Sequence, residues 1–531
     1  MTTAATTFVT WFASRLKKSG LQRAFGVPGG GTSLDLLEAL SEQGVETVIT
    51  AREDAAVIMA GVSGILSDSP GVAFTTKGPG LASATNGLAS AALDRMPALL
   101  ISEAFSEDEL KFLSHQVFSH ADLVEPLLKE GEGDALAADQ VGVENWLERN
   151  ARAPAVMFPT SKELNQSVSA RVDPAAKSEL VVPDIDQAVK LVGEAKHPVV
   201  IVGLEAARSA VSTDLRAFVD KLGGPVLCTY MAKGCIADDD PHFAGIFTGG
   251  AIEQACMNAA DLIVLVGLDP VELIRKPWGY AAPVLDLCER VYDPHYLTPA
   301  ARIVAPLMAS LKALGDKIET SSWNQKDIAV LRTGFLQGMA EGGAAGLSSA
   351  SVVKAIRDAF PDRPRLSVDA GAHMFSACAF WPTSEPRDLL ISNGLATMGF
   401  AVPAAIAAAL HDPSRGAIAI TGDGGLLMCL GELKTAAETG TNITIIVFND
   451  GRLSLIDIKR EDRQMPDLGL SWTPPDFAAI ASGFGFSAWQ VNDADELPEI
   501  LVAAAGSSGP RLVDIRIDDT GYRDQMRALR G

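Results

Sequence analysis

The sequence predicts an α/β protein made of three doubly wound parallel-sheet domains. Two observations carry that prediction. Short apolar runs alternate with stretches of helical length and pattern along most of the chain, joined by short turns rich in Gly and Pro. Two segments without clear periodicity, 172–186 and 318–349, interrupt the alternation and divide it into blocks at 1–171, 187–317 and 350–531. A chain of 531 residues has room for that many domains.

The first block opens on a segment that reads as an amphipathic helix ending at Gly20. It has no charged start, apolar stretch and cleavage site, so it is not a secretory signal. The strand RAFGV runs into a Pro28-Gly29 loop and the helix TSLDLLEALSEQG. The strand ETVITA, the helix DAAVIMAGVSGILSD and the strand GVAFTT follow. Gly78-Pro79-Gly80 then opens a helix of small residues, suited to close packing at a subunit interface. ALLISE and PAVMFPT are further strands. The second block repeats the pattern through PVVIVG, PVLCTY, LIVLVG and PVLDLC. The third begins with the helix ASVVKAIRDAF and the strand RLSVDAG, and closes with RLVDIRID and a short helix or tail. The first and third blocks look alike as sheet layouts.

Composition narrows the class. At 47% hydrophobic and 21% charged, the chain is an ordinary globular one. A net charge of −22 disfavours nucleic acid and anionic membrane surfaces as partners. No apolar run reaches the roughly 18 residues of a membrane span. Six scattered cysteines, with no CxxC and no zinc spacing, fit reduced and mostly buried thiols of a cytoplasmic protein.

The most informative stretch is TGDGGLLMCLGELKTAAETGTNITIIVFND. An apolar strand, AIAI, runs into Gly422-Asp423-Gly424-Gly425, and a second, ITIIVF, runs into Asn449-Asp450. The helix-like segment between them makes a strand–helix–strand unit with a right-handed crossover. Both polar clusters then sit at the carboxyl ends of parallel strands, where open α/β sheets bind ligands. A carboxylate from each loop, with loop oxygens and a diphosphate, makes an oxygen cage suited to Mg²⁺. The glycines admit phosphate oxygens close to the backbone, and the following helix N-terminus favours anions.

This pattern resembles the thiamine diphosphate (ThDP) enzymes, whose signature is Gly-Asp-Gly followed at this spacing by Asn-Asn or Asn-Asp. The resemblance extends over nearly the whole chain, as pyrimidine-binding, central and diphosphate-binding units in that order. It is closest to the branch of acetolactate synthase, pyruvate oxidase and benzoylformate decarboxylase, and within it to acetolactate synthase-like large subunits. It implies Asp423, Asp450 and the carbonyl of Arg452 as metal ligands, with Asn449 orienting its loop. Gly422, Gly424 and Gly425, with Gly371, Ala372 and His373 in VDAGAHMF, fall where the family holds the diphosphate. Met398 falls at the apolar prop that folds the cofactor, and the Ala396 carbonyl at the acceptor for its pyrimidine amino group. FGVPGG matches the loop that supplies Pro28 and Gly29.

Glu53 takes the position of the acid that contacts pyrimidine N1′. Read alone, it is a helix N-terminal Glu complementing the dipole. Next to the metal motif it becomes the proton relay, and burial in apolar surroundings would raise its pKa. The family writes Arg-His-Glu where this chain has Ala51-Arg52-Glu53. In FLSHQVFSHADLV, Ser119 replaces the Gln that relatives carry. His115, Gln116, Ser119 and His120 are the substrate-side candidates, either His being able to donate a proton. Read without the family, that stretch is a polar surface loop.

The resemblance further implies decarboxylation of a 2-oxo acid followed by protonation or carboligation. An acyl-CoA lyase or oxalyl-CoA decarboxylase type of C–C cleavage is one alternative. A flavin-containing oxidase is another, disfavoured because the central block lacks GxGxxG. The cofactors implied are ThDP and Mg²⁺, with FAD as the unfavoured extra. A homodimer or homotetramer is implied, its active site formed between subunits.

Overall fold

The computed structural model describes residues 6–130, 133–148, 153–168, 185–209, 211–272, 277–292, 296–340 and 347–531. Most of the expected linker at 172–186 lies outside them. Three six-stranded sheets, all parallel, organise the chain, with helices packed against them. The fold class is the one expected.

The first sheet comprises β1 (Arg23–Val27), β2 (Glu46–Ile49), β3 (Gly71–Thr75), β4 (Ala98–Ser102), β5 (Asp134–Leu136) and β6 (Ala155–Met157), in the order β2-β1-β3-β4-β6-β5. The central sheet comprises β7 (Pro198–Val202), β8 (Val226–Cys228), β9 (Phe243–Ile246), β10 (Leu262–Val266), β11 (Val284–Cys288) and β12 (Ala301–Val304), in the order β9-β8-β7-β10-β11-β12. The third comprises β13 (Arg365–Val368), β14 (Leu389–Ile391), β15 (Ala417–Gly422), β16 (Ile443–Asn449), β17 (Ser487–Val491) and β18 (Arg511–Arg516), in the order β14-β13-β15-β16-β18-β17. The first and third sheets therefore share one topology, and the central sheet has another. The inner strands read as continuous apolar runs because both faces are covered: β10 (LIVLV) is buried at every residue.

The first and third domains meet through two helices of small residues. Ten of the eleven residues of Ala401–His411 are buried, and they share one core with the helix Glu53–Ser67. The helix Pro79–Leu93, expected at a subunit interface, packs closely within its own domain. A Cβ on Gly87 would lie 2.3 Å from the Asp54 carbonyl oxygen of the helix Glu53–Ser67. At Gly87 the missing side chain serves this intrachain contact.

Two details differ from expectation. The segment after Gly-Asp-Gly-Gly is two helices, Asp423–Met428 and Glu432–Thr439, with a break at residues 429–431. The aperiodic stretch 318–349 contains the helix Gln325–Met339. Asn324 caps it through the Asp327 N–H at 3.0 Å. Ile328, Phe335 and Met339 are its buried residues; spaced unevenly among polar neighbours, they give a weak periodic signal. The six cysteines are all free and buried. Among the described residues, no helix is long and apolar enough to cross a membrane.

Candidate active site

In the third sheet, β13 has β14 on one side and β15 on the other, so the chain leaves β13 and β15 in opposite directions. The crevice at their carboxyl ends is a topological switch point. A cavity of about 480 Å³ opens there. Its walls include Gly371, Ala372 and His373 after β13, Ala396 and Met398 before the helix Ala401–His411, and Gly422, Asp423, Gly424 and Gly425 after β15. Asp450 and Arg452 after β16 complete it. Eleven candidates from separate parts of the sequence thus line one cleft. Asn449 stands behind the wall: its Nδ2 donates to Asp514 at 2.8 Å and to the Pro475 carbonyl at 3.2 Å.

The electrostatics of this cleft are unresolved within the chain. Asp423 accepts from the Gly424 N–H at 2.8 Å and the Gly451 N–H at 3.0 Å, which locks the two loops together. Burial still pushes its carboxyl up to about 6. Asp450 is pushed up to about 7, by burial first and by repulsion from Asp423 as well. Two desolvated carboxyl groups that repel each other are costly to ionise together without a counter-charge. The Arg452 N–H donates to Asp450 at 3.2 Å, and its guanidinium turns away to Asp519 at 3.2 Å and Asp457 at 3.5 Å. Among the described residues no group of three or more Cys, His, Asp and Glu side chains is placed to hold a metal. Two carboxylates and a carbonyl would leave the remaining positions of an octahedral ion to phosphate and water.

His373 faces the same cleft. It is buried, and its Nε2 has no hydrogen-bond partner. Burial holds its pKa down at about 4. An unpartnered polar atom of this kind is costly unless a ligand meets it. The ring lies so close to Gly371 that a Cβ there would come within 2.4 Å of its Cε1. Ala396 adopts φ +55°, a left-handed conformation rare for a residue other than Gly and concentrated at functional sites.

Asp369 is a positioning residue with no sequence signal beyond its strand end. It is fully buried and accepts from the N–H groups of Gly399 (3.0 Å), Phe400 (2.7 Å) and Ala401 (3.1 Å), and from the Thr421 hydroxyl (2.7 Å). It thereby fixes the Met398 loop to β15. Burial raises its pKa against the opposing pull of the Thr421 hydroxyl and the three converging N–H donors. Glu103, also buried, does similar work in the first domain. It accepts from the Ser33 N–H at 2.9 Å, and a Cβ on Gly29 would come within 2.6 Å of it.

The remaining candidates lie outside this cavity. Glu53 begins the helix Glu53–Ser67 and is half-buried. Pro28 and Gly29 follow β1. His115, Gln116 and Ser119 are exposed. His120 begins the helix His120–Glu130, and its Nε2 accepts from the Gly78 N–H at 3.2 Å. Burial and the Lys77 charge hold its pKa below the ordinary value.

The central sheet has its own switch point, between β7 and β10. There Glu272 accepts from the N–H groups of Leu204 (2.8 Å) and Asp269 (3.2 Å) and from the Thr229 hydroxyl. Asp269 pairs with Arg95 of the first domain at 2.9 Å, and the guanidinium lies over the Tyr292 ring.

Such a cleft, with carboxyl groups from two strand ends and a buried imidazole at a switch point, is where parallel α/β sheets of enzymes bind their ligands. Residues 6–125 match the N-terminal TPP binding domain of the thiamine pyrophosphate enzymes, 185–283 their central domain, and 369–515 their C-terminal TPP binding domain. The chain belongs to the thiamine pyrophosphate enzymes; it is a ThDP-dependent enzyme. It is 27% identical to acetolactate synthase of Bacillus subtilis (strain 168), over 96% of this chain and 92% of that one. It is 26% identical to the catabolic acetolactate synthase of Raoultella terrigena, over 96% and 94%. With the acetolactate synthase isozyme 2 large subunit of Escherichia coli (strain K12) it shares 25%, over 96% and 95%.

Proposed function

We propose that this protein decarboxylates a 2-oxo acid with ThDP and Mg²⁺, and then protonates the product or joins it to a second carbonyl compound, as an acetolactate synthase-like enzyme. The observation that carries the reading is the third-sheet cavity, where two mutually repelling carboxylates face the same space as an unpartnered buried imidazole.

When bound, ThDP supplies a carbon nucleophile and an electron sink for the departing carbon dioxide. The chain's residues position it. Asp423, Asp450 and the Arg452 carbonyl would hold the metal ion. Gly371, Ala372 and His373, with the glycines at 422, 424 and 425, would receive the diphosphate. Met398 and the Ala396 carbonyl would support the ring system, on a loop that Asp369 holds rigid. Glu53 would share its proton with the ring nitrogen N1′.

Glu53, Pro28, Gly29 and the 115–120 loop do not line the cavity of their own chain. A second copy would bring them there, which supports a homodimer or homotetramer. Apolar side chains beside the metal loop and on the first-domain loop fit the same reading: Met428 is 57% exposed and Phe112 75%.

The test is a panel of 2-oxo acids with ThDP and Mg²⁺, with and without an acceptor aldehyde or ketone. Carbon dioxide should be released from at least one acid, and release from none rejects the reading. Glu53→Gln should keep ThDP binding and lose about 10²- to 10⁴-fold in turnover. Wild-type turnover in that variant would remove Glu53 from the mechanism.

A further inference from the structure

The strand end that leads to Glu53 is held by a carboxylate from the third domain. Glu432 starts the helix Glu432–Thr439 and is 1% exposed. One of its oxygens accepts from the Arg52 N–H at 3.0 Å and the Ala51 N–H at 3.2 Å. The other accepts from the Thr435 hydroxyl at 2.7 Å. Arg52 is the N-cap of the helix Glu53–Ser67, and its side chain makes no capping bond. The Thr50 hydroxyl donates to the Arg52 carbonyl at 2.8 Å, but the acceptor for the Ala51 and Arg52 N–H groups is supplied across the domain boundary.

The approach is close enough to restrict the residue beside it. A Cβ on Gly431 would fall 2.8 Å from the Ala51 Cβ. Gly431 lets the carboxylate reach the two N–H groups, and the break between the helices Asp423–Met428 and Glu432–Thr439 places it there. Around the carboxylate, Asp54 is the acidic neighbour, and Arg52 turns its guanidinium to Asp54 at 3.1 Å and to the Ser83 hydroxyl at 3.3 Å. No cation pairs with Glu432 among the contacts described, so its bonds to backbone N–H groups and Thr435 stabilise it in place.

We infer that Glu432 is the positioning residue for Glu53, setting where the proton-relay carboxyl stands by holding the two peptide N–H groups immediately before it. The inference rests on the role proposed above for Glu53. It needs no charge on Glu432, only an acceptor oxygen at that place. A glutamine retains one, an alanine retains none, and an aspartate is one methylene too short.

The experiment compares Glu432→Gln, Glu432→Ala and Glu432→Asp. Amide hydrogen exchange of the peptide spanning residues 50–56 is read on the cofactor-free protein, and kcat and KM on the ThDP- and Mg²⁺-loaded enzyme. Glu432→Ala should exchange at Ala51 and Arg52 about tenfold faster or more. It should lose about 10- to 100-fold in kcat with KM little changed, the scale of a misplaced catalytic group. Glu432→Asp should follow the alanine variant, and Glu432→Gln should restore both readings toward wild type. If Glu432→Ala does not fold, Thr435→Val, which frees the second carboxylate oxygen, should move both readings the same way by less. Unchanged exchange in the alanine variant overturns the anchoring. Fast exchange with unchanged kcat, or a glutamine variant as impaired as the alanine one, overturns the positioning role. The exchange arm needs no cofactor, so it is independent of whether the 2-oxo acid reading holds.

Discussion

The third and central sheets each have a switch point where parallel α/β sheets bind ligands, and the two have opposite fates. In the third sheet the crevice stays open: a cavity of about 480 Å³, carboxylates that repel one another, and a His373 Nε2 with no partner. In the central sheet the described residues meet one another's polar groups at the strand ends. Glu272 takes the Leu204 and Asp269 N–H groups, and Arg95 from the first domain neutralises Asp269. Topology creates the opportunity at both places. Whether a ligand is needed depends on how much polar capacity the chain leaves unmet.

That contrast breaks most sharply at the metal loop. In wild type, ThDP with Mg²⁺ should raise the melting temperature by linkage, corresponding to about 2.7 kcal/mol at a hundredfold excess over Kd. Asp423→Ala should abolish the rise and all turnover. A rise that survives in the variant would mean that the open crevice does not hold the cofactor.

A smaller effect is expected at His373. Removing one hydrogen-bonding group opposite an anion costs about 1.5–3 kcal/mol, so His373→Ala should bind ThDP roughly 10- to 100-fold more weakly. The same residue has a pH signature without cofactor. Its pKa is near 4 in the folded protein and near the ordinary 6.5 when unfolded. As pH falls from 6.5 toward 4, the unfolded chain takes up a proton that the folded one refuses, and stability declines. The decline should be shallower in His373→Gln, as followed by melting temperature against pH. Equal slopes would place the imidazole in water.

The residues of the open crevice were legible in the sequence because they are local. Gly-Asp-Gly, Asn-Asp and VDAG each end a strand and LATM lies in the loop before a helix, and the fold only has to converge them. The residues that hold the crevice in shape were not legible. Asp369 bonds Phe400 and Glu432 bonds Arg52 through backbone N–H groups far away in sequence. Any residue can supply such a donor, so no motif marks it. Glu272 escaped for the same reason, since its partners include the backbone N–H groups of Leu204 and Asp269. The 115–119 loop reads as surface in the sequence and is largely surface in the chain, so nothing within one chain marks it as a site.

Glu272 at the central strand ends has a pH signature of opposite sign. Burial pushes the Glu272 carboxyl up to about 8, against an ordinary value of 4.5. Between these values the folded protein keeps a proton that the unfolded chain has released, so the stabilising contribution is full below 4.5 and is lost as pH rises through 8. Glu272→Gln retains an acceptor oxygen and carries no such dependence. Its melting temperature should gain on wild type from pH 5 to 8, by a few °C or less, and run parallel above. A constant offset would show that Glu272 is ionised throughout.

The smallest expected effect is none, and it is the one that isolates the comparison. A flavin or another adenine dinucleotide would place its phosphates at the helix start after β7, where backbone N–H groups normally receive them. Here the Leu204 N–H already donates to Glu272, a Cβ on Gly203 would come within 2.7 Å of that carboxylate, and the helix Leu204–Arg208 is only five residues long. A phosphate entering there would have to displace a carboxyl group that three donors hold, without a long helix dipole to favour the exchange. FAD and ADP should therefore leave the melting temperature unchanged at concentrations where ThDP and Mg²⁺ raise it, and the purified protein should show no flavin absorbance. A shift with FAD or ADP that matches the ThDP response would mean that Glu272 yields to phosphate. The two crevices would then differ in occupancy and not in kind.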